Sequence, residues 1–239
     1  MHVQERLWAL LAFNQEIAKT REVVTDTTIG LIRLQWWRDA LEKIYTDGEI
    51  LKNEVVLGLA EAIRASTLPQ EQFETLIYAR EFDVEDRAPA TLEGLKKYAE
   101  FTSVPLLQLL LKVMQVDEDV TDLAIGYSMT GLLRSVLYHA RQRRCNLPAD
   151  LLEQAGISQT ALFDLKPGEK FPQVILAVAE AAEKHLEAAQ PSCAYTKGMK
   201  KLAGLHLAKM KACGYDPFKP DWITQPAFWQ LRVALAAKI

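Results

Sequence analysis

Gly131, Ser135 and His139 stand four residues apart within residues 126–148, GYSMTGLLRSVLYHARQRRCNLP, with Arg134 beside them and Arg141, Arg143 and Arg144 following. Four-residue spacing projects all three from one face of a helix. Polar groups aligned in this way line cavities. The competing reading makes Ser135 and His139 hydrogen-bonded core groups and leaves the arginines to complement the helix dipole in solvent. Met129, Leu132, Leu133, Val136 and Leu137 recur at three- and four-residue spacing, which predicts one amphipathic helix over residues 122–141 with a mostly buried face.

Other helices must position that face. Leu7, Leu10, Leu11, Phe13, Ile17 and Val24 predict a first helix over residues 5–24. Thr25 and Asp26 offer an N-cap to a second, which runs to about Tyr45, where Asp47-Gly48 stops it. Within it Trp36 and Trp37 point about 100° apart, so one enters the core and the other a second contact. A third helix is expected over residues 51–65 and a fourth after Pro69, and the acidic cluster Asp83, Glu85 and Asp86 beyond it reads as a solvated helix end. Thr91 precedes a long helix that Pro105 should kink or split. An acidic turn at residues 117–119 follows, and after the central helix a short segment ends at Gly156. Residues 159–170 read as a loop, and further helices are expected over residues 172–189, 196–213 and 226–238. No stretch alternates with a period of two. The expected fold class is all-α, a single domain over residues 1–239 with eight or nine helices.

Composition narrows the function. A chain of 239 residues, 49% hydrophobic and 25% charged, has the makings of a large core. Its formal net charge of −3 gives no general attraction to nucleic acid, which is not an expected partner. Cys145, Cys193 and Cys213 form no CxxC pair and, with four scattered histidines, lack zinc-site spacing. They read as reduced core thiols. Glu5 and Arg6 interrupt any signal-peptide pattern, and the apolar run at residues 104–113, broken by Gln108 and Lys112, is too short to span a bilayer. No transmembrane segment is expected, and contact with a membrane surface stays open.

Two stretches match one family in order and separation. ALLAFNQEIAKTREVV followed by IGLIRLQWWRDALE resembles the first characteristic segments of the squalene and phytoene synthases, and GLLRSVLYHARQRRCNLPADLL resembles their second aspartate segment. With LIYAREFDVED and the long helix after it, the likeness covers most of the chain. It implies the isoprenoid synthase fold of head-to-head prenyltransferases. In that family two prenyl diphosphates are held by magnesium ions between two aspartate-rich helix faces. The first motif, C-R-x-x-D-D-x-x-D, falls on Asn14 to Glu22, so that Ala18 and Lys19 stand where aspartates are expected and Glu22 is the carboxylate that remains. The second, N-x-x-R-D-x-x-x-D, falls on Gly131 to His139 and keeps Arg134, with Ser135 and His139 in place of the aspartates. Glu16 and Asp83 are the nearest candidates to rebuild a metal site, although Glu16 is two residues from Ala18 and faces away from it.

The resemblance is greatest to a non-catalytic branch whose mitochondrial members act in respiratory complex I assembly and which has bacterial relatives. It implies a pseudoenzyme serving as a binding or assembly factor, with no catalytic residue and no cofactor. The chain would be cytoplasmic if bacterial, or in the mitochondrial matrix if the mature form of an organellar protein. The alternative is a divergent prenyltransferase or isoprenoid-binding enzyme, which would need magnesium. The candidate cavity or anion-binding set is Lys19, Arg21, Glu22, Arg134, Ser135 and His139, a weakly positive field for a prenyl diphosphate or lipid headgroup unless Glu22 pairs with Arg134 and closes it. Phe218, Trp222, Phe228 and Trp229, set among three prolines, either anchor a protein partner or pack on the helices.

Overall fold

The computed structural model describes residues 2–24, 26–46 and 48–238, which form thirteen α-helices and no strand. The chain divides into two compact units. Unit 1 comprises Met1–Arg87 and Phe101–Asp117, and unit 2 comprises Ala88–Glu100 and Glu118–Ile239.

Unit 1 contains α1 (Val3–Ala18), α2 (Thr20–Val23), α3 (Thr27–Tyr45), α4 (Glu54–Ser66), α5 (Gln70–Val84) and the second part of α6 (Leu92–Val113). Of the apolar positions that predicted the first helix, Leu10, Phe13 and Ile17 are fully buried, while Leu11 lies at the surface. Phe13 meets Trp37 and Phe73 edge-on, each with ring centroids 5.4 Å away, so one aromatic knot joins α1, α3 and α5. Such pairs add about 0.5–1.5 kcal/mol beyond the area they bury. Trp37 is the core member of the tryptophan pair, and Trp36 is 38% exposed against its ring. Asp26 caps α3 by accepting from the Ile29 amide at 3.1 Å, while Thr25 and Asp47 lie outside the described residues. Asn53 caps α4 through the amides of Val55 and Val56, which moves its start from the expected residue 51 to Glu54.

The first expected helix is two helices. Thr20 donates its hydroxyl back to the Glu16 carbonyl, and the chain turns at Lys19. A hydroxyl bonded to the carbonyl four residues earlier weakens and bends a helix. The predicted central helix breaks in the same way, into α7 (Thr121–Arg134) and α8 (Val136–Arg141), because Ser135 donates to the carbonyls of Gly131 and Leu132, each at 3.1 Å. At Pro105, by contrast, α6 is not split. Proline leaves the Phe101 carbonyl without its helical donor, and Phe101 is where α6 passes into unit 1.

Unit 2 holds α7, α8, α9 (Ala149–Gln154), α10 (Gln159–Phe163), α11 (Phe171–Ala188), α12 (Ala194–Ala212) and α13 (Trp229–Lys238), with the first part of α6. Helix α7 packs on both α11 and α12. Gly126 makes the α11 contact close: a Cβ there would lie 2.9 Å from the Ala182 carbonyl oxygen and 2.8 Å from Leu186. The expected loop at residues 159–170 contains α10, capped by Ser158 and held by Arg143, whose guanidinium lies 5.3 Å from the Phe163 ring centroid. The last helix starts at Trp229 instead of residue 226, after a 3-10 turn at Pro220–Trp222. Short elements account for the excess over eight or nine helices. Of the three thiols, Cys213 is buried, whereas Cys145 and Cys193 are half-buried, and Cys193 serves as the N-cap of α12.

Candidate functional site

In unit 1, the segment running from Asn14 to Glu22 is tied to its neighbours by ion pairs. Glu16 pairs with Lys19 on one oxygen and with Arg33 of α3 at 2.8 Å on the other. Arg80 of α5 pairs with Asp83 at 3.0 Å and reaches the Asn14 amide oxygen at 3.5 Å. Arg21 pairs with Asp86 at 2.6 Å. Two positive side chains of the candidate set, Lys19 and Arg21, thus already carry a carboxylate partner. Glu22 is exposed. The acidic cluster Asp83, Glu85 and Asp86 is engaged in ion pairs with Arg80, Arg87 and Arg21.

In unit 2, Ser135 spends its hydroxyl on its own helix, and the break there interrupts the four-residue spacing at its middle member. His139 is half-buried, edge-on to the Tyr138 ring, and borders a cavity with Leu133, Val136, Arg144, Cys145 and Val178. The space is about 10 Å³, room for one water and not for a chain of carbons. Burial pushes the Cys145 thiol up, which disfavours a thiolate there. Arg134 is half-buried and makes no hydrogen bond or ion pair among the described residues.

A residue that sequence reasoning passed over lies near it. His206 on α12 is 4% exposed, and its Nε2 has no hydrogen-bond partner among the described residues. Burial first, then the positive charges of Arg134 and Lys209, push its pKa down to about 4. The signal was a histidine inside an apolar run, LAGLHLAKM, and that pattern alone does not say which charged group faces it.

Magnesium bridging a diphosphate needs several carboxylate oxygens converging on one point. Glu16 is held by two cations, the second segment offers a hydroxyl and an imidazole, and no three His, Cys, Asp or Glu side chains among the described residues gather as a metal site. The donor set does not fit the metal.

Helices alone, over the described residues, define a protein of the isoprenoid synthase class. The chain belongs to the squalene/phytoene synthase family, whose sequence profile matches residues 1–219. It is 30% identical over 225 residues to the NADH dehydrogenase (ubiquinone) complex I assembly factor 6 of Mus musculus, an overlap of 89% of this chain and 67% of that protein. Among solved structures, a dehydrosqualene synthase in complex with ligand superposes with a TM-score of 0.78 at 15% identity, covering 98% of this chain and 85% of that one. The squalene synthase HpnC from Alicyclobacillus acidocaldarius gives a TM-score of 0.69 at 19% identity, covering 91% and 86%. At those identities the structural likeness is one of fold.

Proposed function

We propose that this chain is a pseudoenzyme of the squalene/phytoene synthase family that serves as a binding or assembly factor, in the manner named for its mouse relative. The observation that carries the reading is the ion-pair lattice over residues 14–22: Glu16 with Lys19 and Arg33, Arg80 with Asp83 and Asn14, Arg21 with Asp86. Along this segment the charged side chains of Glu16, Lys19 and Arg21 are spent on pairs within it, with α3 and with Asp86, which follows α5. A metal contributes several kcal/mol to charge stabilisation in diphosphate loss, and each 1.36 kcal/mol is tenfold in rate, so its loss slows turnover by about 10²-fold or more. An assembly role places the chain where complex I is built, the cytoplasmic side in a bacterium or the matrix in a mitochondrion.

A second reading is favoured by Arg134, a half-buried cation without a partner among the described residues. With His139 on the following helix, it would hold the diphosphate of a prenyl diphosphate or a similar anion directly, without magnesium. Two experiments address both. Purified protein given farnesyl diphosphate and magnesium is expected to release diphosphate no faster than a protein-free control. Magnesium-dependent turnover that Glu22→Gln abolishes overturns the pseudoenzyme reading. Calorimetric titration of the same ligand in EDTA then separates the two: heat lost in Arg134→Ala supports the anion site, and no heat excludes it.

A further inference from the structure

From α12 onward the chain changes character in charge and in what it leaves exposed. Residues 194–239 carry seven lysines and one arginine against Asp216 and Asp221, a net of +6 in a chain whose formal net charge is −3. Helix α13 packs on α12, with Val233 close against Gly198, yet none of its residues is buried. Leu231 and Leu235, four residues apart and so on one face, are 59% and 55% exposed. By helical spacing the exposed Arg232 and Lys238 flank that pair, one on each side. Phe228, whose carbonyl accepts from the Arg232 amide at the head of the helix, is 79% exposed.

We propose that this face of α13 docks on an anionic lipid bilayer, with the helix lying in the plane of the headgroups. Apolar side chains flanked by cations are what an interfacial helix requires: the apolar groups enter the acyl boundary while the charges stay with the headgroups. The face of α13 itself presents one arginine and one lysine, and it is the surrounding residues 194–239, with seven lysines to one arginine, that favour lipid over a protein surface. Protein interfaces are enriched in arginine and depleted in lysine, whereas lysine and arginine alike are attracted to a negatively charged leaflet. No helix among the described residues is long and apolar enough to cross a membrane, so the contact is with its surface. The proposal does not depend on whether the chain is a catalyst.

The test is cosedimentation of the full chain with vesicles of phosphatidylcholine alone and of phosphatidylcholine mixed with phosphatidylglycerol. The chain is expected to partition to the mixed vesicles, at least about tenfold more strongly than to neutral ones, and less as salt is raised. Leu231→Glu with Leu235→Glu should reduce that partition by about tenfold or more with an unchanged thermal midpoint, since both side chains are exposed. Arg232→Gln with Lys238→Gln should lower it by about fivefold per charge. Should the glutamate pair melt early, Leu231→Ser with Leu235→Ser provides the same reading. Partition equal to that of the wild type in a folded leucine variant overturns the proposal. So does a wild type that ignores both vesicles, including one that binds poly-glutamate instead, which would assign the face to an acidic protein.

Discussion

Trp222→Ala will lower the stability of the chain by about 3–5 kcal/mol, while Phe228→Ala will change it by less than about 0.5 kcal/mol. The four aromatic residues that stand together in the sequence are divided by the structure. Trp222 is 2% exposed, in the 3-10 turn that packs on α12, whereas Phe228 lies in solvent. Phe218 is partly exposed and meets the buried Phe171 at 6.3 Å between ring centroids, and Trp229 is half-buried at the start of α13. Trp222 therefore holds the turn to its helix and does not anchor a partner. Its Nε1 has no hydrogen-bond partner among the described residues, so its contribution is apolar burial and contact. Truncation leaves a cavity, because Lys209 keeps the turn in place through Thr224 and the Gln225 carbonyl and restrains collapse. Trp222→Phe should retain most of the stability. Urea unfolding reads both, as a shift in midpoint at constant slope. A Trp222→Ala midpoint equal to that of the wild type would contradict the structural role.

The same contrast explains what was legible in the sequence. The long helices could be read because burial of one face imposes a 3.6-residue period: Leu10, Phe13 and Ile17 keep it in α1, and Met129, Leu133 and Val136 keep it across the break in α7 and α8. That break, and the one at Lys19, were not legible for the same reason. A hydroxyl bonding back to its own helix alters the backbone without disturbing the apolar pattern, so Thr20 and Ser135 read as ordinary helical residues. Helix α10 was hidden by its five-residue length, too short to show a period, beside a Pro-Gly turn. In the candidate site the residue types were readable and their partners were not. Arg33, Asp86 and Arg80 lie 17, 65 and 66 residues from Glu16, Arg21 and Asn14, and only the packing of α3 and α5 on the first two helices brings them together. Lys19 and Arg21 entered the candidate set through the family resemblance as available cations, and the fold spends both on carboxylates.

His206 should make the stability of the chain fall as the pH drops from about 6.5 to about 4. The ordinary imidazole pKa of 6.5 is lowered to about 4 in the folded chain, first by burial and then by the nearby charges of Arg134 and Lys209. Above about pH 6.5 the ring is neutral whether the chain is folded or not, and the full contribution is present. Between the two values the unfolded chain takes up a proton that the folded chain refuses, so stability is lost. Below about pH 4 both states are protonated and this residue costs nothing further. At 1.36 kcal/mol per pH unit the loss is about 3 kcal/mol. His206→Leu, which fills similar space with no proton to accept, should therefore gain about 3 kcal/mol relative to the wild type on going from pH 7 to pH 4. Arg134→Gln should reduce the effect without abolishing it, since burial is the larger cause and remains. Urea unfolding of the three proteins at both pH values makes the comparison, and titration of the His206 ring by NMR locates the pKa directly. A stability difference between His206→Leu and wild type that is the same at both pH values would mean that the imidazole is not held neutral by its place between α12 and Arg134. If the difference grows as expected, the neutral ring leaves Arg134 and Lys209 as the charges on that part of unit 2 at neutral pH, the state in which an anion would meet them.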